Sequence, residues 1–390
     1  MVIWKVPGMP ALLGMTLTGF SGYAALLTVA PLWAARGGAG PAGAGAVNGV
    51  LMLFTVLTQL LVPRMLGRFG AGRVMAAGGL LLGLPSLLHL LGDTLVPILA
   101  LSAVRGLGFG ILTVTGSAAI ALLVEPVRRG AAIGVYGLAI AVPQLVLIPA
   151  GPWLAERLGF TAVFLVGAIP LLGVPAALLL GHQLAARGQG PAVTGPRASL
   201  RSRAPLLRPM LLLLAVTAAG GALLTFTDHL AASSTLVSIG LFLFTATAAL
   251  SRWRFGGLAD RYGTRPFLWP LVLLTAGGMA AIAWAARGTA DRPALLLIAM
   301  AVVGVAYGGL QNLTLVISFQ MVEPGGIGTA SAAWNIGFDA GTGLGAVLVG
   351  AMTVVTSFPV GLLALAACAL ATLPLALSPP PPSPAEGRGS

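Results

Sequence analysis

The chain is 390 residues long, 57% hydrophobic and only 8% charged, where a soluble domain carries about a quarter charged residues. That composition excludes water as the main solvent and leaves no stretch for a separate soluble domain. The net charge of +12 comes from 20 arginines and one lysine, Lys5, scattered through short connections and gathered on no single face, which argues against a nucleic-acid partner.

A helix needs about 20 apolar residues to cross a bilayer. Runs of that length recur from Met9 to Ser378, and the hydropathy predicts spans near 9–33, 43–63, 73–92, 96–123, 131–153, 160–181, 207–229, 233–251, 266–286, 293–318, 328–350 and 357–377. The first run is too long for a signal-peptide core and lacks a cleavage site, so it is expected to be a span. With the N-terminus inside, sixteen basic residues fall in the predicted cytoplasmic segments and four (Arg36, Arg157, Arg287, Arg292) fall outside. The positive-inside rule therefore places both termini in the cytoplasm. Six of the seven tryptophans sit at predicted span ends, where amphipathic rings favour the headgroup layer. The expected fold class is an all-α membrane protein of twelve transmembrane helices.

Those helices are written as two copies of six. The longest polar interval, residues 182–206, is rich in Gly, Pro, Ser and Arg and is expected to be a cytoplasmic linker between halves at 1–181 and 207–378. The proline-rich tail, 379–390, is expected to be disordered. Gly256 to Arg265, GGLADRYGTR, has a weaker copy 193 positions earlier, PRMLGRFGAGR from Pro63 to Arg73. At an offset of 198, Gly106, Gly110 and Gly130 meet Gly304, Gly308 and Gly328, and Glu125-Pro126 meets Glu323-Pro324.

Side-chain amides are costly in hydrocarbon and tend to face protein or a watery cavity. They are Asn48 and Gln59 on span 2, Gln144 on span 5, Gln311 and Asn312 on span 10 and Asn335 on span 11, while spans 3, 6, 9 and 12 have none. On span 11, Ala333, Gly337, Gly341 and Gly345 form a small-residue ridge suited to close helix approach. Asn335, Asp339 and Gly343 lie about 200° around the helix from it. Asp339 falls at mid-span, where a charge costs roughly 2.5 to 3.5 kcal/mol on insertion scales. Burial there favours the neutral acid, which suits a group that loads and releases a proton; a protonated carboxyl that only hydrogen-bonds a neighbour is the plainer alternative. Arg105, in Arg-Gly-Leu-Gly-Phe-Gly, is the only arginine that falls in the interior of a predicted span, away from its ends. Its repeat equivalent is Val303 and that of Asp339 is Ala141, so these charges break the internal symmetry. Asp228 and His229 read as an interfacial pair at the end of span 7.

Gly-x-Leu-Ala-Asp-Arg-x-Gly-x-Arg after an apolar span resembles the signature segment between the second and third, and the eighth and ninth, helices of the major facilitator superfamily. The resemblance implies a secondary transporter of two parallel six-helix halves, in which spans 3, 6, 9 and 12 face lipid and the amides Asn48, Gln144, Gln311, Asn312 and Asn335 line a substrate cavity. It further implies a conformational latch of Gly256, Asp260, Arg261, Gly263 and Arg265, with Asp260 meeting Arg128 and Arg129 at the start of span 5, and it associates Arg105 with proton coupling beside Asp339. The copy at Gly67 lacks the aspartate. Pro143, Pro149, Gly151 and Pro152 keep part of the fifth-helix pattern of antiporters, but Leu147-Ile148 replaces its Gly-Pro step. The nearest types are bacterial drug:proton antiporters and sugar-efflux-like members.

Other classes lack their residues. One lysine leaves no phosphate loop for a pump, the nine acidic residues are dispersed, and the histidines (His89, His182, His229) belong to no ligand motif, so neither an enzyme nor a cofactor nor a metal is expected. The single Cys368 excludes an internal disulfide. The expected protein is a monomer of the bacterial inner (cytoplasmic) membrane that moves a small, hydrophobic substrate outward in exchange for protons. Proton-coupled uptake of a metabolite, or ligand sensing without transport, are the alternatives.

Overall fold

A computed structural model of the chain describes residues 6–124, 129–186, 206–231, 233–287, 292–321 and 327–378. Twelve helices among these are long and apolar enough to cross a membrane: α1 (Met9–Arg36), α2 (Pro41–Phe69), α3 (Ala71–Leu91), α4 (Leu95–Ile120), α5 (Val135–Leu158), α6 (Phe160–Ala186), α7 (Leu207–Thr225), α8 (Ser234–Ala259), α9 (Arg265–Ala285), α10 (Pro293–Gln320), α11 (Ala330–Val355) and α12 (Phe358–Leu377). They are apolar around most of their circumference, as helices surrounded by lipid and other helices must be.

The chain separates into two compact units, residues 1–39 with 50–194 and residues 40–49 with 195–390. The first turns of α2 thus belong with the second unit, because glycines let them lie against α11. A methyl at Gly45 would strike the Ala346 carbonyl, and one at Gly49 would strike Val347. The last helix of the first unit runs to Ala186, past the expected linker start at residue 182, and residues 187–205 lie outside the described residues.

The two copies of the charged glycine motif differ from expectation in one respect: they are mostly helix. The helix of α2 runs to Phe69 and that of α8 continues to Tyr262, so each hairpin turns on little more than a glycine. Gly70 has φ 79° and ψ 156°, and Gly263 has φ 77° and ψ 173°. Only glycine enters that region without strain. The charges of the motif therefore ride on helix ends, and Arg252, Arg254 and Arg261, expected in a connection, lie within one continuous helix.

Inside each unit the same seam recurs. Gly106 and Gly110 of α4 lie against the carbonyls of Leu51 and Thr55 on α2, while Gly304 and Gly308 of α10 lie against those of Phe244 and Ala248 on α8. Each pair of carbonyls is offset by 193 and each pair of glycines by 198, the two offsets present in the sequence. Hydroxyls tie the seams: Thr55 Oγ1 donates to the Gly106 carbonyl at 3.2 Å, Thr247 Oγ1 to Ala301 at 3.0 Å and Ser251 Oγ to Val305 at 2.9 Å. Such cross-helix bonds are the usual adhesive where no hydrophobic effect separates helices from lipid.

Candidate functional site

The most chemically loaded region lies in the second unit, on facing sides of α8, α10 and α11. The small-residue ridge of α11 fixes its rotation. Gly337 rests on Met210 and Leu213, Gly341 on Thr217 and Leu214, and Gly345 on Ala218, so this face is taken up by α7. The opposite face turns Asp339 toward α10, where the carboxyl is 3% exposed and lies within electrostatic range of the Tyr307 hydroxyl. Tyr307 is also in range of the Arg252 guanidinium on α8. Gln311, one turn beyond Tyr307, is 3% exposed. Its amide approaches the Tyr307 hydroxyl without completing a hydrogen bond, and Nε2 has no partner.

An aromatic wall joins these groups. Trp334 is 7% exposed, and its indole N–H donates to Thr314 Oγ1 at 3.1 Å, which locks the ring. Trp334 stacks on Phe338 at 5.6 Å, Phe338 meets Tyr307 edge-on at 6.2 Å, and Tyr307 packs on Phe244 at 5.0 Å. The Arg252 guanidinium lies 5.7 Å from the centre of the Trp334 ring, a cation–π placement. Among the described residues Arg252 makes no hydrogen bond and no ion pair, and its side chain is exposed.

Hydropathy missed both Arg252 and Tyr307. Ending span 8 at 251 put Arg252 in a connection and left Arg105 as the only arginine in the interior of a span; the helix in fact carries Arg252 about two turns before the end of α8. The available signal was spacing. Tyr307 precedes Gln311 by four, Trp334 precedes Phe338 by four and Asn335 precedes Asp339 by four, which sets an aromatic row beside a polar one on the same helix.

The remaining expected site residues are distributed as follows. Asn48, 1% exposed, donates from Nδ2 to Thr225 Oγ1 at 2.8 Å within the second unit. Asn312 is half-buried, with its Oδ1 unbonded and its amide beside Gly256. Asn335 is half-buried on α11. In the first unit Gln144 turns back onto its own helix, Nε2 to the Ile140 carbonyl at 3.3 Å. Arg105 is fully buried there and donates from Nη2 to the Gly22 carbonyl at 3.0 Å, while Nε and Nη1 make no hydrogen bond. Nearby in sequence, His89 is also fully buried, with Nδ1 at 2.8 Å from the Pro85 carbonyl, so Nδ1 carries the proton, and with Phe164 against its ring. Arg261 lies over Tyr262 and Arg265 opens α9. Arg128 lies outside the described residues, as do the side chains of Asp260 and Arg129. Asp228 and His229 form the interfacial pair, Oδ1 to Nδ1 at 2.9 Å, on the short turn Thr227–Leu230 between α7 and α8.

Chemically, the α8–α10–α11 site offers one ionisable acid, one permanent cation, a phenol, an unsatisfied amide donor and flat apolar faces.

A family profile described as Major Facilitator Superfamily matches residues 11–227 and 209–390. No curated protein matches the chain. Among similar solved structures is a bacterial homolog to the human lysosomal transporter Spinster, in an inward-facing and occupied conformation: it is 14% identical, with a TM-score of 0.71 over 97% of this chain and 96% of that one. Another is the nucleoside transporter NupG, 16% identical, with a TM-score of 0.74 over 94% of this chain and 98% of that one. At such identities the likeness concerns the fold.

Proposed function

We propose, from the premise that the chain belongs to the major facilitator superfamily of membrane transporters, that this secondary transporter moves a small, hydrophobic molecule outward across the cytoplasmic membrane by alternating access, with Asp339 as the proton carrier. The observation that carries this reading is the placement of Asp339: a 3% exposed acid on α11, across from Tyr307, with Arg252 acting on the same hydroxyl. An ionised carboxylate in low dielectric is expensive, so the group is stable only if it is neutralised by a proton or by its surroundings in turn. Alternation between those two conditions is what coupling requires.

Arg105 would tune proton release from the first unit, and its buried, incompletely bonded guanidinium fits a group kept for its charge. Gln311, Asn312, Asn335, Asn48 and Gln144 would line the path. Asp260 would latch the cytoplasmic side against Arg128 and Arg129, with Gly256, Arg261, Gly263 and Arg265 shaping that helix end. Two halves joined by a cytoplasmic linker and both termini inside are supported by the arginine asymmetry, and a monomeric state completes the proposal.

The test is Asp339→Asn in proteoliposomes. The amide mimics the protonated acid, so counterflow down a substrate gradient persists while accumulation driven by a pH gradient or potential is lost. One proton crossing 100 mV supplies about 2.3 kcal/mol, roughly a fifty-fold gradient, so the missing accumulation is readily measured. Wild-type proton-driven accumulation in Asp339→Asn refutes the coupling role. Absence of any flux in the unsubstituted protein favours ligand sensing instead.

A further inference from the structure

From the groups around Trp334 we infer that the α8–α10–α11 site binds a planar organic anion, an aromatic carboxylate in the simplest case. This rests on the proposed transport function, in which Gln311 helps to line the path, and it names the substrate's charge and shape.

The polar groups are unequal in kind. Arg252 presents a guanidinium with five N–H donors, none of them committed to a protein acceptor among the described residues. Gln311 Nε2 is a buried donor with no partner, and the Tyr307 hydroxyl beside it is a third donor. A buried donor without an acceptor loses the hydrogen bonds it made in water, so a site of this kind favours a ligand that brings acceptors. The planar guanidinium matches the two oxygens of a carboxylate, and such charge-assisted pairs are about twice as strong as neutral ones.

Charge favours an anion over its isosteres. Arg252, Tyr307 and Asp339 are the titratable groups of the site, from α8, α10 and α11 respectively. Arg252 is the permanent cation among them, and a monoanion pairs with it. A cationic ligand would face Arg252 at short range, and a neutral one would leave the guanidinium unmatched.

Shape is set by the aromatic wall. Trp334 cannot rotate away without breaking its bond to Thr314, and Phe338 and Tyr307 extend the surface on one side. Arg252 lies 5.7 Å from the centre of the Trp334 ring, so a flat ligand beside that ring has the guanidinium within reach of its carboxylate. A lipophilic weak acid meets both the apolar faces and the cation.

The experiment uses the full-length protein in lipid nanodiscs and three probes of one shape: 2-naphthoate, 2-naphthamide and 2-naphthylmethylammonium. Calorimetry is expected to show naphthoate binding at least roughly tenfold more tightly than either isostere, as loss of a charge-assisted bond implies. Arg252→Gln abolishes that preference and Arg252→Lys restores part of it. Trp334→Leu weakens naphthoate and naphthamide alike, which separates the wall from the charge. Equal binding of the amide, tighter binding of the ammonium, an unchanged preference in Arg252→Gln, or no binding of any probe at millimolar concentration each overturns the inference. The coupling proposal is tested separately: a preference for the ammonium with proton-driven transport still lost in Asp339→Asn removes the anion and leaves the transporter reading intact.

Discussion

Gly263→Ala separates backbone from side-chain effects in the charged motif. Gly263 has φ 77° and ψ 173°, and a methyl placed on it would meet nothing within 4 Å, so the substitution introduces no clash. What it does introduce is an L side chain in a region essentially reserved for glycine, at a cost of order 1–3 kcal/mol. Six residues earlier, Gly257 also faces open space but sits within the helix. There alanine is the better helix former, and Gly257→Ala stabilises by roughly 0.5–1 kcal/mol. The two variants, from the same motif and with the same added methyl, are thus expected to differ by about 1.5–4 kcal/mol in opposite directions. Thermal unfolding in detergent followed by size-exclusion chromatography, with denaturant titration for magnitude, reads the difference. Gly70→Ala, at φ 79° with nothing within 4 Å, follows Gly263→Ala. If Gly257→Ala destabilises as much as Gly263→Ala, the turn conformation is not what the glycine is for.

Three further outcomes follow. Gly110→Ala and Gly308→Ala each press a methyl into a carbonyl of the neighbouring helix, so both destabilise by about 1–3 kcal/mol and by similar amounts, because the seams share a register; a large loss in one and none in the other would deny the repeated packing. The hydrogen bond that His229 donates to the Asp228 carboxylate raises the His229 pKa above its usual value, against a smaller opposing effect of partial burial. A raised folded-state pKa adds stability below about pH 6.5 that is lost as pH rises through it, so Asp228→Asn lowers the melting temperature at pH 5.5 and has little effect at pH 8.5; an equal loss at both pH values contradicts the pairing. With Cys368 replaced by serine, single cysteines at positions 199 and 289 report orientation: an impermeant thiol reagent applied outside labels 289 and spares 199, and the reverse pattern inverts the topology.

The amino-acid sequence alone determined that the chain is a multi-pass membrane protein with twelve helices long and apolar enough to span, and it carries an internal repeat. Hydrocarbon admits only apolar helices, so hydropathy reports that constraint directly, and the 193 and 198 offsets report a packing register that Gly106, Gly110, Gly304 and Gly308 then realise. The opposite faces of α11 were also legible, since the ridge and the Asn335–Asp339 row differ only by helical angle. Helix ends were less so. Arginines on the last turns of α8 look like a connection to hydropathy, because a long side chain lets a charge stay wet while its backbone remains helical. The site itself was decided by tertiary structure. Arg252, Tyr307 and Trp334 are separated by 55 and 27 residues in the chain, and no local period links them. They meet because glycines at 304 and 308 draw α10 against α8, and because the ridge on α11 lies against α7 and leaves Trp334 and Asp339 to face inward. An arginine stacked on an indole is a product of that convergence, which only the packed helices contain.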